Sequence, residues 1–98
     1  MQYHFEWDPE KARENRRKHE ISFEHAAAVM QDPLALSVYD DSHSLSEEER
    51  WITMGQAGSE LLVVVHTFRE VYPDEVVVRI ISARRATKNE QRQYEDGQ

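Results

Sequence analysis

Two apolar stretches separated by a short break constrain the fold of this chain more than any other feature. They are Leu61–Phe68, LLVVVHTF, and Val76–Ala83, VVVRIISA. Branched aliphatic residues favour β-strands, and the seven residues between the stretches, REVYPDE, contain Pro73-Asp74 and indicate a loop. Because a connection this short joins neighbours that run in opposite directions, we predict that the two stretches pair as an antiparallel hairpin.

Capping signals predict two helices in the N-terminal third of the chain. Asp8 is a typical N-cap and Pro9 suits the first helical position, so a helix is predicted from Pro9 to about His19. Ser22 can cap a second helix, which Asp32-Pro33 would end. Helical spacing predicts that the apolar face of this second helix consists of Phe23, Ala26, Ala27 and Met30.

Further strand-like segments and a last helix complete the pattern. The segment 87–90, TKNE, matches a capping box and predicts a helix through Tyr94. The other strand-like segments are 3–7, 35–39 and 50–55, with a turn at Gly58 and a polar loop at 42–49. We therefore predict a single domain, residues 1–98, of the α+β class. In it, two N-terminal helices and one C-terminal helix pack on an antiparallel β-sheet.

The distribution of charge leaves a nucleic-acid partner open, although the net charge of −7 argues against one. Ten of the twelve basic residues lie in two short segments, 11–18 and 79–92, and each segment has a net charge of +4. The stretch between them, 19–78, has a net charge of −10. A polyanion responds to the local field, which is screened over about 8–10 Å at physiological salt. RNA binding therefore depends on whether the two basic segments meet in space.

Several classes of protein are excluded by what the chain lacks. It contains no cysteine, which excludes a disulfide framework and thiolate chemistry. The histidines and carboxylates show none of the spacings of common metal sites, so we expect no metal and no other cofactor. The longest apolar run, Leu61–Val65, is too short to cross a bilayer, and the charged N-terminus does not look like a signal peptide. We expect a cytoplasmic protein that does not associate with membranes.

The junction RIISARRATKNE, residues 79–90, leads from a strand into a helix and places two adjacent arginines beside the start of the helix. Arg84 and Arg85 lie at that start, where the helix dipole disfavours cations unless an anion is also present. A bound phosphate or a structural carboxylate such as Glu90 could supply that anion. Strand alternation predicts one face made of Val77, Arg79, Ile81 and Ala83 and the other made of Val76, Val78, Ile80 and Ser82.

Four segments together make the chain resemble the BrnT family of type II toxins. They are FEWDPEKARENRRKHEISFEHAAAV, EERWITMG, LLVVVHT and RIISARRATKNEQRQYE, and the resemblance covers residues 5–95. It depends on a Trp-Asp pair, on the spacing of Asn15, Lys18-His19 and Phe23, and on the Arg-rich tail. One position departs from the family pattern, because Glu20 stands where the family usually has glycine. This departure suggests a slightly different turn between the first two helices.

The resemblance implies a small RelE-like fold and a metal-independent endoribonuclease, the toxin of a type II toxin–antitoxin system, which inhibits growth by cleaving RNA. It also implies a BrnA-like antitoxin with a ribbon-helix-helix DNA-binding part. This antitoxin would neutralise the toxin. The complex would contact DNA only through the antitoxin, and the toxin would form an oligomer only as part of that complex. The alternative is a non-catalytic toxin-like module that acts only as partner of a DNA-binding antitoxin in promoter repression. The presence of Arg79 and Arg84 favours activity.

The resemblance and the chemistry of RNA cleavage together assign the catalytic residues as His19, Arg79, Arg84 and Tyr94. Arginine does not exchange protons near neutral pH, so Arg79 and Arg84 would stabilise charge. His19 is favoured for proton transfer, since histidine titrates near pH 7. Tyr94 would act as an acid or a stacking platform, or would pack the last helix on the sheet. The RNA-binding residues are assigned as Lys11, Lys18 and Arg85.

Overall fold

The predicted apolar hairpin lies at the centre of a five-stranded sheet. The computed structural model describes residues 1–44 and 48–97. Its strands are β1 Gln2–Glu6, β2 Leu36–Tyr39, β3 Glu49–Ala57, β4 Glu60–Tyr72 and β5 Glu75–Arg85. Its helices are α1 Pro9–His19, α2 Phe23–Ala27, which continues as the 3₁₀ turn Ala28–Gln31, and α3 Lys88–Asp96. Residues 45–47 of the predicted polar loop lie outside the described residues.

The sheet is mixed rather than antiparallel. Its strand order is β1-β5-β4-β3-β2, and the three pairs among β2 to β5 are antiparallel as predicted. β1, however, runs parallel to β5, from Gln2 opposite Glu75 to Glu6 opposite Arg79. The prediction of an antiparallel sheet is therefore wrong for the first strand. Short loops fix the direction of strands adjacent in sequence, whereas β1 reaches β5 only by way of the whole intervening chain.

The central hairpin is longer than predicted. A loop was expected at 69–75, but β4 continues to Tyr72 and the turn consists of Pro73 and Asp74 alone. Asp74 has a left-handed φ of 67°, a conformation that aspartate tolerates better than most residues. The loop prediction is wrong because it followed the proline and the charged residues of this segment and neglected the β-propensity of Val71 and Tyr72.

The first two helices begin at their predicted caps. The side chain of Asp8 accepts a hydrogen bond from the backbone N–H of Glu10 at 2.9 Å. The hydroxyl of Ser22 accepts one from the backbone N–H of His25 at 3.0 Å. Between the two helices, Glu20 has φ 59° and ψ 30°, a left-handed conformation that favours glycine.

The apolar face of the second helix differs from the predicted one because the helix tightens. Phe23 and Ala26 are buried as expected, but the chain then becomes a 3₁₀ turn with about three residues per turn. Val29, three residues after Ala26, is therefore the next buried position. Ala27 and Met30, which α-helical spacing assigned to the core, are only half-buried.

The core lies on one side of the sheet, which we call the covered face. The residues that form it come from β3, β4, β5, the helical segment 23–31 and the connection before it: Ile21, Phe23, Ala26, Val29, Ala57, Leu62, Val64, Val76, Val78, Ile80 and Ala83. We call the opposite side the open face. α3 crosses one end of the open face, above a groove of about 280 Å³ whose apolar lining is Leu36, Val38, Ile52, Met54 and Val63.

A β-bulge interrupts β5 near its end. In the register with β4, Val65 lies opposite Ser82 and His66 lies opposite Ile80, so Ile81 has no partner. A bulge adds one residue to a strand and so changes the face to which the following side chains point.

The bulge brings Arg84 onto the same face as Arg79. In an unbroken strand, residues five apart in sequence point to opposite faces. After the bulge Ala83 is buried on the covered face, so Arg84 points to the open face, where Arg79 already lies. The predicted faces of Ser82 and Ala83 are therefore wrong. The apolar pattern of the strand contains no signal for the extra residue.

A buried amide fastens α1 to the outer edge of β5. β1 pairs with β5 only as far as Arg79, so the backbone of Ala83 has no partner from β1. Asn15 Oδ1 accepts a hydrogen bond from the Ala83 N–H at 3.0 Å, and Asn15 Nδ2 donates to the Ala83 carbonyl at 2.9 Å. Nδ2 also donates to the carbonyl of Ile21 at 3.0 Å, and the residue is only 5% exposed. One side chain thus holds the strand edge, the helix and the connection to α2.

We predict that Asn15→Ala lowers the free energy of unfolding by about 2–4 kcal/mol, because buried backbone groups at Ala83 and Ile21 lose their partners. Urea denaturation followed by circular dichroism measures this change. Glu14→Ala is the matched control on the same helix. Its side chain is 51% exposed, so water and salt screen its ion pairs and the loss should be much smaller than for Asn15→Ala. Equal losses in the two variants would contradict the role of Asn15.

Candidate active site

A row of polar side chains crosses the open face of the sheet. Arg50 lies opposite Thr67 in the register of β3 and β4, and the backbone N–H of Arg79 donates to Thr67 Oγ1 at 3.2 Å. Arg69, farther along β4, and Arg84 share this face. The only two basic residues of the acidic segment 19–78 are thus on the same surface as two arginines of the C-terminal segment. Arg50 is not among the residues assigned from the sequence. Its position as one of two basic residues in an acidic segment is a signal that could have indicated it.

The two basic segments meet at the bulge. A cleft of about 190 Å³ separates α1 from β5, with Ile81 and Ser82 on its β5 side. The α1 side is formed by Lys11, Glu14, Asn15, Lys18 and His19. The structure therefore brings together three of the assigned residues, Lys11, Lys18 and His19, beside the strand that carries Arg79 and Arg84. A net charge of −7 does not prevent a local basic surface, because field strength depends on nearby charges.

A carboxylate of α3 holds Arg84. Arg84 Nη1 and Nη2 donate to Glu90 Oε1 and Oε2 at 2.8 and 2.9 Å, and the backbone N–H of Thr87 donates to Oε1 at 2.8 Å. These hydrogen bonds, that of Arg84 first, lower the pKa of Glu90 to about 2. In this structure, Glu90 therefore supplies the structural carboxylate that the sequence offered as one of two partners for this arginine.

Arg79 is also paired. Its Nη2 forms an ion pair with Glu48 Oε1, and both side chains are about 40% exposed, at 41% and 42%. Glu48 is the second residue that the sequence assignment missed. Its pairing joins the start of β3 to β5 across the open face, and neither propensity nor spacing marks such a contact.

Arg85 points away from the other arginines. Its Nε donates to Glu60 Oε2 at 2.5 Å and its Nη1 donates to the carbonyl of His19 at 3.0 Å. Glu60 also contacts His25 Nε2 at 3.0 Å, and the hydrogen bond from Arg85 is the main cause of its lowered pKa. The structure therefore does not bring Arg85 together with Arg79 and Arg84. Arg85 instead ties the end of β5 to the start of β4 and the end of α1.

The hydroxyl of Tyr94 donates to Asp32 Oδ2 at 2.6 Å. Asp32 also accepts hydrogen bonds from the backbone N–H groups of Gln56 at 2.7 Å and Leu34 at 2.9 Å. The hydrogen bond to Asp32 raises the pKa of Tyr94. This contact fastens α3 to the connection before β2, which is the packing role left open by the sequence.

His66 is held in the covered face of the sheet. Its Nε2 lies 2.7 Å from Thr53 Oγ1 and its Nδ1 lies 2.9 Å from the carbonyl oxygen of Thr67. Burial lowers its pKa, which favours the neutral imidazole. Across residues 1–44 and 48–97, no group of three or more His, Asp or Glu side chains is arranged to hold a metal ion.

A family model described as the ribonuclease toxin BrnT of type II toxin–antitoxin systems matches residues 7–90. The chain belongs to this family. The match spans α1, the bulge and both open-face arginines of β5. Membership of the BrnT family makes the chain a ribonuclease toxin, with RNA as substrate and an antitoxin as partner. No curated protein matches the chain. None of the described helices is long and apolar enough to span a membrane.

We predict that Glu90→Gln lowers the free energy of unfolding at pH 7 by about 1 kcal/mol, since it removes the charge of the partner of Arg84. The pKa of Glu90 is about 2 in the folded state, below its ordinary value of 4.5. Its contribution to stability is therefore present above pH 4.5 and is lost as the pH falls toward 2. The difference between wild type and variant should shrink over that interval.

Urea denaturation at a series of pH values measures this difference. Glu95→Gln, also on α3, is the control, because within the described residues its carboxylate makes no hydrogen bond or ion pair. A gap between wild type and Glu90→Gln that stays constant from pH 7 to pH 2 would contradict the linkage.

Proposed function

We propose that this BrnT-family toxin is a metal-independent endoribonuclease with a RelE-like fold, and that it cleaves RNA on the open face of its sheet. One observation carries the proposal: the bulge at Ile81 and Ser82 turns Arg79 and Arg84 to the same side of β5. The cleft of α1 adjoins that side. Two fixed guanidinium groups and a lysine-lined cleft form a surface suited to a phosphate backbone.

The proposed reaction uses the 2′-OH of the RNA as the nucleophile. Its oxygen attacks the adjacent phosphorus, the bond to the 5′ oxygen breaks, and a 2′,3′-cyclic phosphate and a free 5′-OH result. Arg79 and Arg84 stabilise the extra negative charge that develops on the pentavalent phosphate. The protein itself thus supplies the positive charge that the transition state needs. His19, in the cleft beside Ser82, transfers a proton, since an imidazole nitrogen can donate or accept one.

The other assigned residues have supporting roles. Lys11 and Lys18 line the cleft and bind phosphates that flank the cleaved one. The contacts of Arg85 with Glu60 and the His19 carbonyl favour positioning of His19 over direct contact with RNA. The hydroxyl of Tyr94 is bonded to Asp32, which favours packing of α3 over acid catalysis.

We further propose a BrnA-like antitoxin with a ribbon-helix-helix part as the partner. In this arrangement the antitoxin neutralises the toxin and alone contacts promoter DNA. The alternative function, a non-catalytic partner in promoter repression, is favoured by one specific observation. Arg79 and Arg84 are each already paired with a carboxylate, Glu48 and Glu90, so RNA must compete for both guanidinium groups.

We predict that Arg84→Ala and Arg79→Ala each lower the rate of RNA cleavage about 10²–10³-fold, because each removes a charge that stabilises the transition state. The measurement is cleavage of labelled RNA by purified protein in the presence of EDTA. Arg13→Ala is the control: this arginine lies on α1, its side chain is 69% exposed, and its ion pair is with Glu10.

Expression of the same variants in bacteria links cleavage to growth. Wild type and Arg13→Ala should arrest growth and degrade RNA, whereas the two open-face variants should do neither. A folded wild type without effect on growth or RNA would favour the non-catalytic alternative. Cleavage abolished by EDTA and restored by a divalent cation would contradict metal independence.

A further inference from the structure

We propose that Glu48 is the proton acceptor for the 2′-OH, and that Arg50 is a further phosphate ligand. This inference rests on the proposed RNA cleavage and names residues that complete its site. Cleavage needs a group that takes the 2′-OH proton, and arginine cannot exchange protons near neutral pH. The acceptor must therefore be another side chain within reach of a phosphate bound at Arg79.

Glu48 meets this requirement by position. It shares the open face with Arg50, two residues later on the same side of the chain, and its Oε1 contacts Arg79 Nη2. In the described part of the chain, Oε2 of Glu48 makes no hydrogen bond or ion pair. The side chain as a whole is 42% exposed, so a substrate hydroxyl can approach it from solvent. A phosphate bound by Arg79 would therefore bring its neighbouring ribose beside Glu48.

The other carboxylates that contact arginines of β5 are less suited to accept a proton. Both oxygens of Glu90 bind Arg84, one also accepts from the Thr87 N–H, and its pKa of about 2 makes it a weak base. Both oxygens of Glu60 are also engaged, one by Arg85 and one by His25, away from the open-face arginines. Glu48 alone among these three has an oxygen without a partner in the described residues.

The sheet order places the two proton-transfer groups on opposite sides of Arg79. Glu48 approaches from the side of β3, and the cleft with His19 lies along the outer edge of β5. Attack and departure at phosphorus occur on opposite sides, so acceptor and donor are needed on opposite sides. Glu48 takes the 2′-OH proton as the 2′-oxygen bonds to phosphorus. The 5′ oxygen leaves with a proton from His19, which balances the step.

Arg50 completes the charge around the phosphate. It is half-buried, lies in the row that contains Thr67 and Arg79, and has no ion pair within the described residues. A half-buried guanidinium without a carboxylate partner can bind a phosphate oxygen directly, because no existing ion pair has to be broken. This distinguishes it from Arg79 and Arg84.

We predict that Glu48→Gln lowers kcat for cleavage of a labelled mixed-sequence RNA oligonucleotide about 10²–10⁴-fold. Binding of the fully 2′-O-methylated oligonucleotide, which lacks the nucleophile, should stay within about threefold of wild type, because glutamine removes a negative charge but no phosphate ligand. Glu48→Asp should keep part of the activity. The rate of Glu48→Asp should still fall at acidic pH, because aspartate keeps a carboxylate as the base. The residual rate of Glu48→Gln should lack this fall, because glutamine cannot accept the proton.

Glu49→Gln is the matched control, because Glu49 directly follows Glu48, begins β3 and points to the opposite face, where it contacts Trp51. It should cleave at the wild-type rate. Glu48→Gln that cleaves within tenfold of an active wild type overturns this inference and leaves the proposed function standing. A folded wild type that cleaves no RNA overturns both. If Glu48→Gln loses both cleavage and binding of the methylated oligonucleotide, Glu48 has a structural role, and its role as proton acceptor is overturned.

Discussion

The side-chain amide of Asn15 takes the place of a strand along the outer edge of β5. β1 stops pairing at Arg79, and beyond that point the edge of β5 would be left open. The amide offers one acceptor and two donors, which is what the backbone of Ala83 and the carbonyl of Ile21 need. As a consequence α1 lies beside the bulge, and Lys11, Lys18 and His19 border the strand that carries the open-face arginines.

Carboxylates set the geometry of the arginines on this surface. Glu90 holds Arg84 through two parallel hydrogen bonds, and Glu48 holds Arg79. Such pairs fix the guanidinium groups before a substrate arrives, which reduces reorganisation during a reaction. They also make an RNA phosphate compete with a charge already in place. In the proposed site, the same contacts would therefore orient the arginines and also oppose their binding to RNA.

Local sequence signals predicted the helices and strands of this fold well. They did not predict the features that depend on contacts between distant parts of the chain. Asp8, Ser22 and Thr87 cap helices at the expected residues, because capping depends on atoms within four positions of the cap. The parallel pairing of β1 was not predictable, since no short loop constrains it. The buried face of α2 was misassigned at Met30, because the chain becomes a 3₁₀ turn from Ala28 and the next buried position is Val29.

The sequence by itself determined the α+β class, the central hairpin, the helix caps and, through its BrnT-like segments, the family. These depend on residue type and on spacing within a few positions or within quoted motifs. Only the tertiary structure decided that Arg79 and Arg84 share a face, because a single unpaired residue at Ile81 reverses the alternation that the pattern predicts. It also decided that Glu48 and Glu90 are the partners of these arginines. Contacts between distant segments fix such details, since pairing register and side-chain partners are chosen by packing in three dimensions.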